Sequence, residues 1–117
     1  IEQVTVQGRT LSTLLAHHDV SRIDIWQTDT EGMDLQIFRQ LDLNKFHPSI
    51  INMEYAFLKE GEKKEIKERL RNHGYRFAVK GMDIIAVTPE LLHAMLPATD
   101  KLHYKDWVEK EAIAAND

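Results

Sequence analysis

An apolar segment runs directly into an acidic turn at residues 23–34, and this transition constrains the fold more than any other part of the chain. The run Ile-Asp-Ile-Trp at 23–26 favours a β-strand, whereas Asp-Thr-Glu-Gly at 29–32 is typical of a turn that opens a helix. Asp29 and Glu31 are therefore predicted where a strand ends. In open α/β sheets, ligands bind in the crevice at that edge.

Apolar periodicity predicts further strands and helices on both sides of this segment. The predicted strands cover residues 4–6, 23–28, 49–55, 75–79 and 82–87, and the predicted helices cover 11–18, about 30–41, about 60–73, 90–95 and 104–114. Short crossovers through helices imply parallel strands, and the Lys80-Gly81 turn implies a hairpin that adds one antiparallel strand. The pattern predicts a three-layer α/β fold with helices on both faces of the sheet.

The helix predicted at about 30–41 has a clear apolar stripe. Met33, Ile37 and Leu41 are spaced to face inward, and Asp34 is expected to face solvent. The acidic turn before the helix is expected to cap it and to place negative charge in its first turn.

Composition limits the chain to one modest core and excludes several classes of protein. The chain has 117 residues, 43% of them apolar, and its 19 acidic against 15 basic residues include no basic block, so we expect no nucleic-acid partner. Cysteine is absent, and no apolar run approaches the roughly 20 residues that span a bilayer. Ile1 opens the chain with no signal-like stretch, which suggests a piece of something longer; the cytoplasm is favoured, but the compartment is left open.

Common catalytic motifs are missing from the sequence. Its five glycines form no G-x-G spacing, and neither G-x-S-x-G nor H-E-x-x-H occurs. The remaining candidates are the acids Asp29, Glu31 and Glu54, predicted at the ends of two neighbouring strands. Such carboxylates can accept hydrogen bonds, act as a base or hold a hard divalent cation, and they can also be helix caps and exposed strand-end acids.

Five segments together give the chain a family resemblance. They are residues 23–25, 28–34, 48–54, 73–75 and 83–86. In this order, over about residues 4–87, they resemble the C-terminal half of FkbM-type methyltransferases. The resemblance implies the C-terminal half of a class I, Rossmann-like sheet of S-adenosylmethionine-dependent enzymes, with a terminal antiparallel hairpin. It implies O-methylation of a sugar or small metabolite, residues 1–88 as the methyltransferase part and 89–117 as a helical extension.

The same resemblance implies roles for the three acids. Asp29 corresponds to the family's acid near methyl transfer and is the catalytic candidate, while Glu31 and Glu54 are candidates for binding the small-molecule acceptor. Gln27 and Thr28 depart from the family pattern. The loop that holds most of the S-adenosylmethionine is expected upstream of Ile1, so the isolated chain is expected to be inactive.

Two other readings stay open at this point. The chain could be a non-catalytic α/β module that self-associates or pairs with a partner chain, because a sheet cut beside residue 23 leaves an edge that proteins normally cover. Alternatively, Asp29 with Glu31 or Glu54 could bind a divalent ion, although the spacing alone assigns no metal ligands.

Overall fold

The computed structural model describes residues 1–95, which form a four-stranded sheet and four helices. The strands are β1 (Ile25–Thr28), β2 (Ile50–Glu54), β3 (Arg76–Lys80) and β4 (Asp83–Val87), and the helices are α1 (Leu11–His17), α2 (Asp34–Gln40), α3 (Glu60–Asn72) and α4 (Pro89–Met95). The helix predicted at 104–114 lies outside the described residues. None of the helices in residues 1–95 has the length and apolar character needed to cross a bilayer.

The strand order in the sheet is β1-β2-β4-β3. β1 and β2 are parallel and are joined through α2, while β4 is antiparallel to both β2 and β3. The α/β class, the parallel crossover and the single antiparallel strand supplied by the hairpin are therefore confirmed. β1 pairs only with β2 among the described residues, so its other side is an open edge of the sheet.

One face of the sheet carries the hydrophobic core. Along each strand, residues of this face alternate with residues of the opposite face. The strand residues of this face form one cluster with residues of α2 and α3. The strands contribute Trp26, Ile51, Met53, Phe77, Ile84 and Ala86, and the helices contribute Leu35, Phe38, Ile66 and Leu70. On the opposite face, Ile25 is 61% exposed. In residues 1–95, α2 and α3 thus cover one face, and the third layer remains a prediction.

Two arginines connect α2 with α3. Arg39 donates two hydrogen bonds to the Glu65 carboxylate, at 2.6 and 2.7 Å, and this contact lowers the pKa of Glu65. The Arg69 guanidinium lies over the Phe38 ring, 4.8 Å from its centroid, and donates to the Leu41 carbonyl. Paired guanidinium–carboxylate bonds fix geometry as well as charge, so the two helices are held in one relative position.

The strand predicted at residues 4–6 does not form. No strand occurs in residues 1–10, and Val4 and Val6 are 77% and 81% exposed. Alternation makes a segment suitable for a sheet, but a strand also needs a neighbour with free backbone groups, and no other described strand pairs with this segment. The helix predicted to follow this segment does form as α1, and Thr10 caps it by accepting a hydrogen bond from the Thr13 amide.

Helix α2 begins at Asp34, four residues later than predicted, and this corrects two assignments. Met33 is 53% exposed rather than buried, and Asp34 is fully buried rather than solvent-facing. The expected cap by the preceding acids is also absent, since the residue before the helix makes no side-chain capping bond. Residues 30–33 are used by a turn, so the helical phase starts at a different residue from the one the periodicity suggested.

Tyr75 connects the start of the hairpin to the entrance of β2. Its side chain is fully buried, its hydroxyl donates to the Pro48 carbonyl at 2.7 Å, and its ring lies 4.7 Å from the His47 ring. Burial raises the pKa of Tyr75, so the hydroxyl keeps its proton and remains a donor. Tyr75, the residue before β3, thereby holds the loop that leads into β2.

We expect Tyr75→Phe to lower the free energy of unfolding by about 1–2 kcal/mol, because the buried Pro48 carbonyl loses its donor. Urea denaturation followed by circular dichroism measures the change. Tyr55→Phe is the matched control, since Tyr55 is also buried but its hydroxyl makes no hydrogen bond within residues 1–95. Equal effects of the two substitutions would contradict this role for the Tyr75 hydroxyl.

Candidate functional site

The parallel register of β1 and β2 brings two acids to the same edge. Thr28 pairs with Met53 at the end of the ladder, so the next residues along the two strands are Asp29 and Glu54. Both chains run in the same direction, and their carboxyl ends therefore meet at one edge of the sheet. That edge is where ligands bind in open α/β sheets.

A strained turn adds the third acid. Glu31 has φ +54° and Gly32 has φ +105°, so two consecutive residues adopt a backbone conformation that is uncommon outside glycine. The Asp34 carboxylate stabilises the turn, because its Oδ2 accepts from the Thr30 amide at 3.3 Å and from the Thr30 hydroxyl at 2.9 Å. The Glu31 amide in turn donates to the Glu54 carboxylate.

The three carboxylates form one compact cluster. One oxygen from each of Asp29, Glu31 and Glu54 lies within 4.8 Å of the others. Asp29 and Glu31 are exposed, whereas Glu54 is only 8% exposed and its Oε2 is buried without a hydrogen-bond partner. Within residues 1–95, no lysine or arginine forms an ion pair with any of the three. Among the described residues, no cation offsets this concentration of negative charge.

The proximity of the three carboxyls changes the pKa of Glu54. A hydrogen bond with the Asp29 carboxyl raises the pKa of Glu54, and burial and the charges of Glu31 and Asp29 raise it further. A hydrogen bond from the Glu31 backbone amide lowers the pKa of Glu54, but by less than the other effects raise it. Carboxyls this close relieve their repulsion by holding a proton or by binding a cation. They can accept hydrogen bonds from a hydroxyl, take up its proton or coordinate a hard metal ion.

All three acids predicted from the sequence are therefore brought together, although the geometry leaves their individual roles as predictions. Sequence reasoning missed Asp34, which is not part of the cluster but stabilises the turn that follows Asp29 and carries Glu31. The available signal was the four-residue spacing between Thr30 and Asp34 across a strand-to-helix turn. Asp83, opposite Glu54 in the β2–β4 ladder, is a fourth acid of this edge whose carboxylate is outside the cluster.

A surface cleft beside α1 lies apart from the acidic edge. It is lined by Gly8, Arg9, Thr10, Ser12 and Gln40 and includes none of the three carboxylates. The Gln40 side chain there accepts from the Leu11 amide, which joins α1 to the end of α2. The cleft offers one cation and two hydroxyls but no pair of groups suited to acid–base chemistry, so the acidic edge is the stronger candidate site.

The chain is an α/β protein in which acids stand at the carboxyl ends of two parallel strands, the edge at which ligands bind in open α/β sheets. The methyltransferase FkbM domain matches residues 1–77, which is more than half of the 117-residue chain. The chain belongs to this family, and the resemblance drawn from the motifs is confirmed. No curated protein and no solved structure matches the chain.

We expect Glu54→Gln to raise the melting temperature at pH 7 in metal-free buffer, because it removes one charge from a repulsive cluster. The pKa of Glu54 is raised by folding, so the folded state binds the proton more tightly and stability falls as pH rises through that raised value. Below the ordinary pKa of a glutamate, wild type is protonated in both states and the difference should vanish.

Thermal unfolding followed by circular dichroism at pH 7 and pH 4 tests this expectation. Glu68→Gln is the control, since it removes an equal charge from an exposed carboxylate of α3 that makes only a 4.0 Å pair with Lys64. A Glu54→Gln variant that is less stable than wild type at pH 7 would show that the cluster does not cost stability.

Proposed function

We propose that this chain supplies the acceptor side of an S-adenosylmethionine-dependent O-methyltransferase that acts on a hydroxyl of a sugar or small metabolite. The observation that carries the proposal is the carboxylate cluster at the shared edge of β1 and β2 in a chain of the FkbM methyltransferase family. S-adenosylmethionine, when bound, provides a methyl group on a positively charged sulfur. The chain's own residues would bind and orient the acceptor hydroxyl and receive its proton.

Asp29 is the residue best suited to receive that proton. It is exposed at the strand end, and it lies beside the more buried Glu54, which has the raised pKa and can hold a proton next to it. An ionised carboxylate that accepts a hydrogen bond from a hydroxyl orients the oxygen and increases its nucleophilicity. Glu31 and Glu54 then provide further acceptors for neighbouring hydroxyl groups of the acceptor molecule.

The sheet supports a partial class I arrangement. The order β1-β2-β4-β3, with β4 antiparallel, is consistent with β1 and β2 as the fourth and fifth strands of such a sheet and with the hairpin as its sixth and seventh. The fit to the cofactor itself is incomplete, because the glycines of the chain form no G-x-G loop. The proposal therefore assigns the acceptor to this chain and most of the cofactor contacts to other sequence of the same protein.

The test uses the full-length product of the encoding gene. We expect it to bind S-adenosylhomocysteine in calorimetry and to transfer labelled methyl groups from S-adenosylmethionine to members of a panel of methyl glycosides. Asp29→Asn should lower kcat by about 10²–10⁴-fold, the usual contribution of a general base, with unchanged affinity for S-adenosylhomocysteine.

Asp24→Asn is the control for that variant, because Asp24 is an exposed carboxylate shortly before β1 whose partner is Arg22. It should leave kcat unchanged. Normal turnover by Asp29→Asn would overturn the role of Asp29, and a full-length protein that binds no S-adenosylhomocysteine would overturn the proposed function.

A second candidate is a non-catalytic module that pairs with a second copy of the chain along the open edge of β1. The observation in its favour is that this edge of the sheet has no partner in residues 1–95 and carries an apolar side chain, Ile25, that is 61% exposed. Open strand edges with apolar side chains are sites of strand pairing between chains. Pairing would cover the edge and the exposed face beside it.

Sedimentation velocity over a wide range of concentrations tests this candidate. We expect a monomer–dimer equilibrium that Ile25→Lys shifts to monomer, because a charge at an edge opposes pairing. Val79→Lys on β3, the opposite edge strand, is the control, since Val79 is 47% exposed and should leave the dimer intact. A compact monomer at every concentration would exclude self-association.

A further inference from the structure

We propose that Thr30 and Asp34 form a positioning pair that holds the turn after β1 in the shape that the acceptor site requires. The inference rests on the proposed function, because it gives the pair a role in binding and orienting the acceptor. Neither residue belongs to the carboxylate cluster. The pair acts through Glu31, whose amide and carboxylate it keeps beside Glu54.

Asp34 is a fully buried carboxylate at the beginning of α2. Its Oδ2 accepts two hydrogen bonds from Thr30, from the amide at 3.3 Å and from the hydroxyl at 2.9 Å. Its Oδ1 is buried without a hydrogen-bond partner among the described residues. Burial of a carboxylate costs free energy unless hydrogen bonds offset it, so the two bonds from Thr30 are central to how the fold accommodates this group.

The turn that the pair closes contains a backbone conformation that L-residues rarely adopt. Glu31 has φ +54°, and Asp19 is the only other non-glycine residue with a positive φ in residues 1–95. Such a conformation persists only where the surrounding structure holds it, and it is found mostly at functional sites. The bonds from Thr30 to Asp34 span Glu31, so they enclose the strained residue and oppose its relaxation.

This conformation brings Glu31 to Glu54 through two groups. The Glu31 amide donates to the Glu54 carboxylate, and a carboxylate oxygen of Glu31 lies within 4.8 Å of oxygens of Asp29 and Glu54. The backbone angles of Glu31 set the direction of both groups. A relaxed turn would leave Asp29 and Glu54 at the ends of β1 and β2, where the strand pairing fixes them, but it would move Glu31 away.

Kinetics of the full-length enzyme test the role in the acceptor site. We expect Thr30→Val to lower kcat/KM for the acceptor by up to about 10²-fold, since a small misplacement of a positioned group has an effect of that size. Affinity for S-adenosylhomocysteine should stay unchanged, because the strands are not altered. Thr30→Ser keeps the hydroxyl and should restore the wild-type value.

Asp34→Ala should lower kcat/KM in the same way, because it removes the acceptor of both bonds. Thr30→Val keeps the test valid if loss of the buried carboxylate unfolds the protein, since Thr30 is only half-buried and valine has nearly the same shape.

A spectroscopic test uses this chain alone and needs neither cofactor nor acceptor. The Glu31 amide proton should move downfield as Glu54 ionises, because a charged acceptor strengthens the hydrogen bond. Proton–nitrogen correlation spectra recorded between about pH 4 and pH 8 measure this movement. Thr30→Val and Asp34→Ala should lose most of it, and Thr30→Ser should keep it.

Thr10→Val is the matched control, because it also removes a threonine hydroxyl, one that caps α1 and lies outside the acidic edge. It should lower the melting temperature but leave the Glu31 amide shift and kcat/KM unchanged. A merely structural role of the pair predicts that same pattern for Thr30→Val, so that result would overturn the proposal. An amide proton of Glu31 that does not respond to pH in the wild type would overturn it as well.

The positioning role and the proposed function fail in different ways. A full-length protein that binds no S-adenosylhomocysteine contradicts the function, while the spectra of this chain still show whether the pair holds Glu31 against Glu54. A full-length enzyme that transfers methyl groups normally after Thr30→Val contradicts the positioning role and leaves the function in place.

Discussion

The parallel pairing of β1 with β2 is the constraint on which the candidate site depends. Its register ends with Thr28 opposite Met53, so the two strands terminate together and release Asp29 and Glu54 at the same edge. A shift of one residue in that register would send the side chains of one strand to the other face and separate the acids. The core enforces the register, because Trp26 and Ile51 are neighbouring partners on the buried face.

Other contacts maintain this pairing from a distance. Tyr75 fixes the loop before β2 through the Pro48 carbonyl, and Asp34 stabilises the turn after β1 through Thr30. The first contact determines where β2 enters the sheet, and the second determines how the chain leaves β1. The positions of the three acids therefore depend on two buried side chains outside the cluster, Tyr75 and Asp34.

The sequence predicted the sheet better than it predicted the turn. Local apolar patterns and the Lys80-Gly81 connection were enough for β1, β2 and the hairpin, because those strands lie against one continuous core. Local sequence could not show whether residues 4–6 form a strand, because a strand needs a neighbouring strand and the apolar pattern does not reveal one. The positive φ of Glu31 and the burial of Asp34 were equally hidden, because a non-glycine residue in that conformation is determined by tertiary contacts.

The three acids were predictable as a set, but their mutual distance was not. Position at strand ends identified Asp29 and Glu54, whereas the approach of Glu31 to within 4.8 Å depends on the strained turn. The family resemblance suggested roles for them, and the family itself is now established over residues 1–77. Their geometry then added the buried, unpartnered oxygen of Glu54, which no sequence pattern could have indicated.

The fold shifts the pKa values of Glu65 and Glu54 in opposite directions. Arg39 lowers the pKa of Glu65, so that contact adds stability above the ordinary glutamate pKa and loses it as pH falls through the lowered value. The neighbours of Glu54 raise its pKa, so the cluster costs stability as pH rises through the raised value. At neutral pH, Glu65 therefore stabilises the fold and Glu54 destabilises it. A single strand-end acid facing solvent carries no such cost, because the cost arises from the approach of Asp29 and Glu31 to a buried carboxyl.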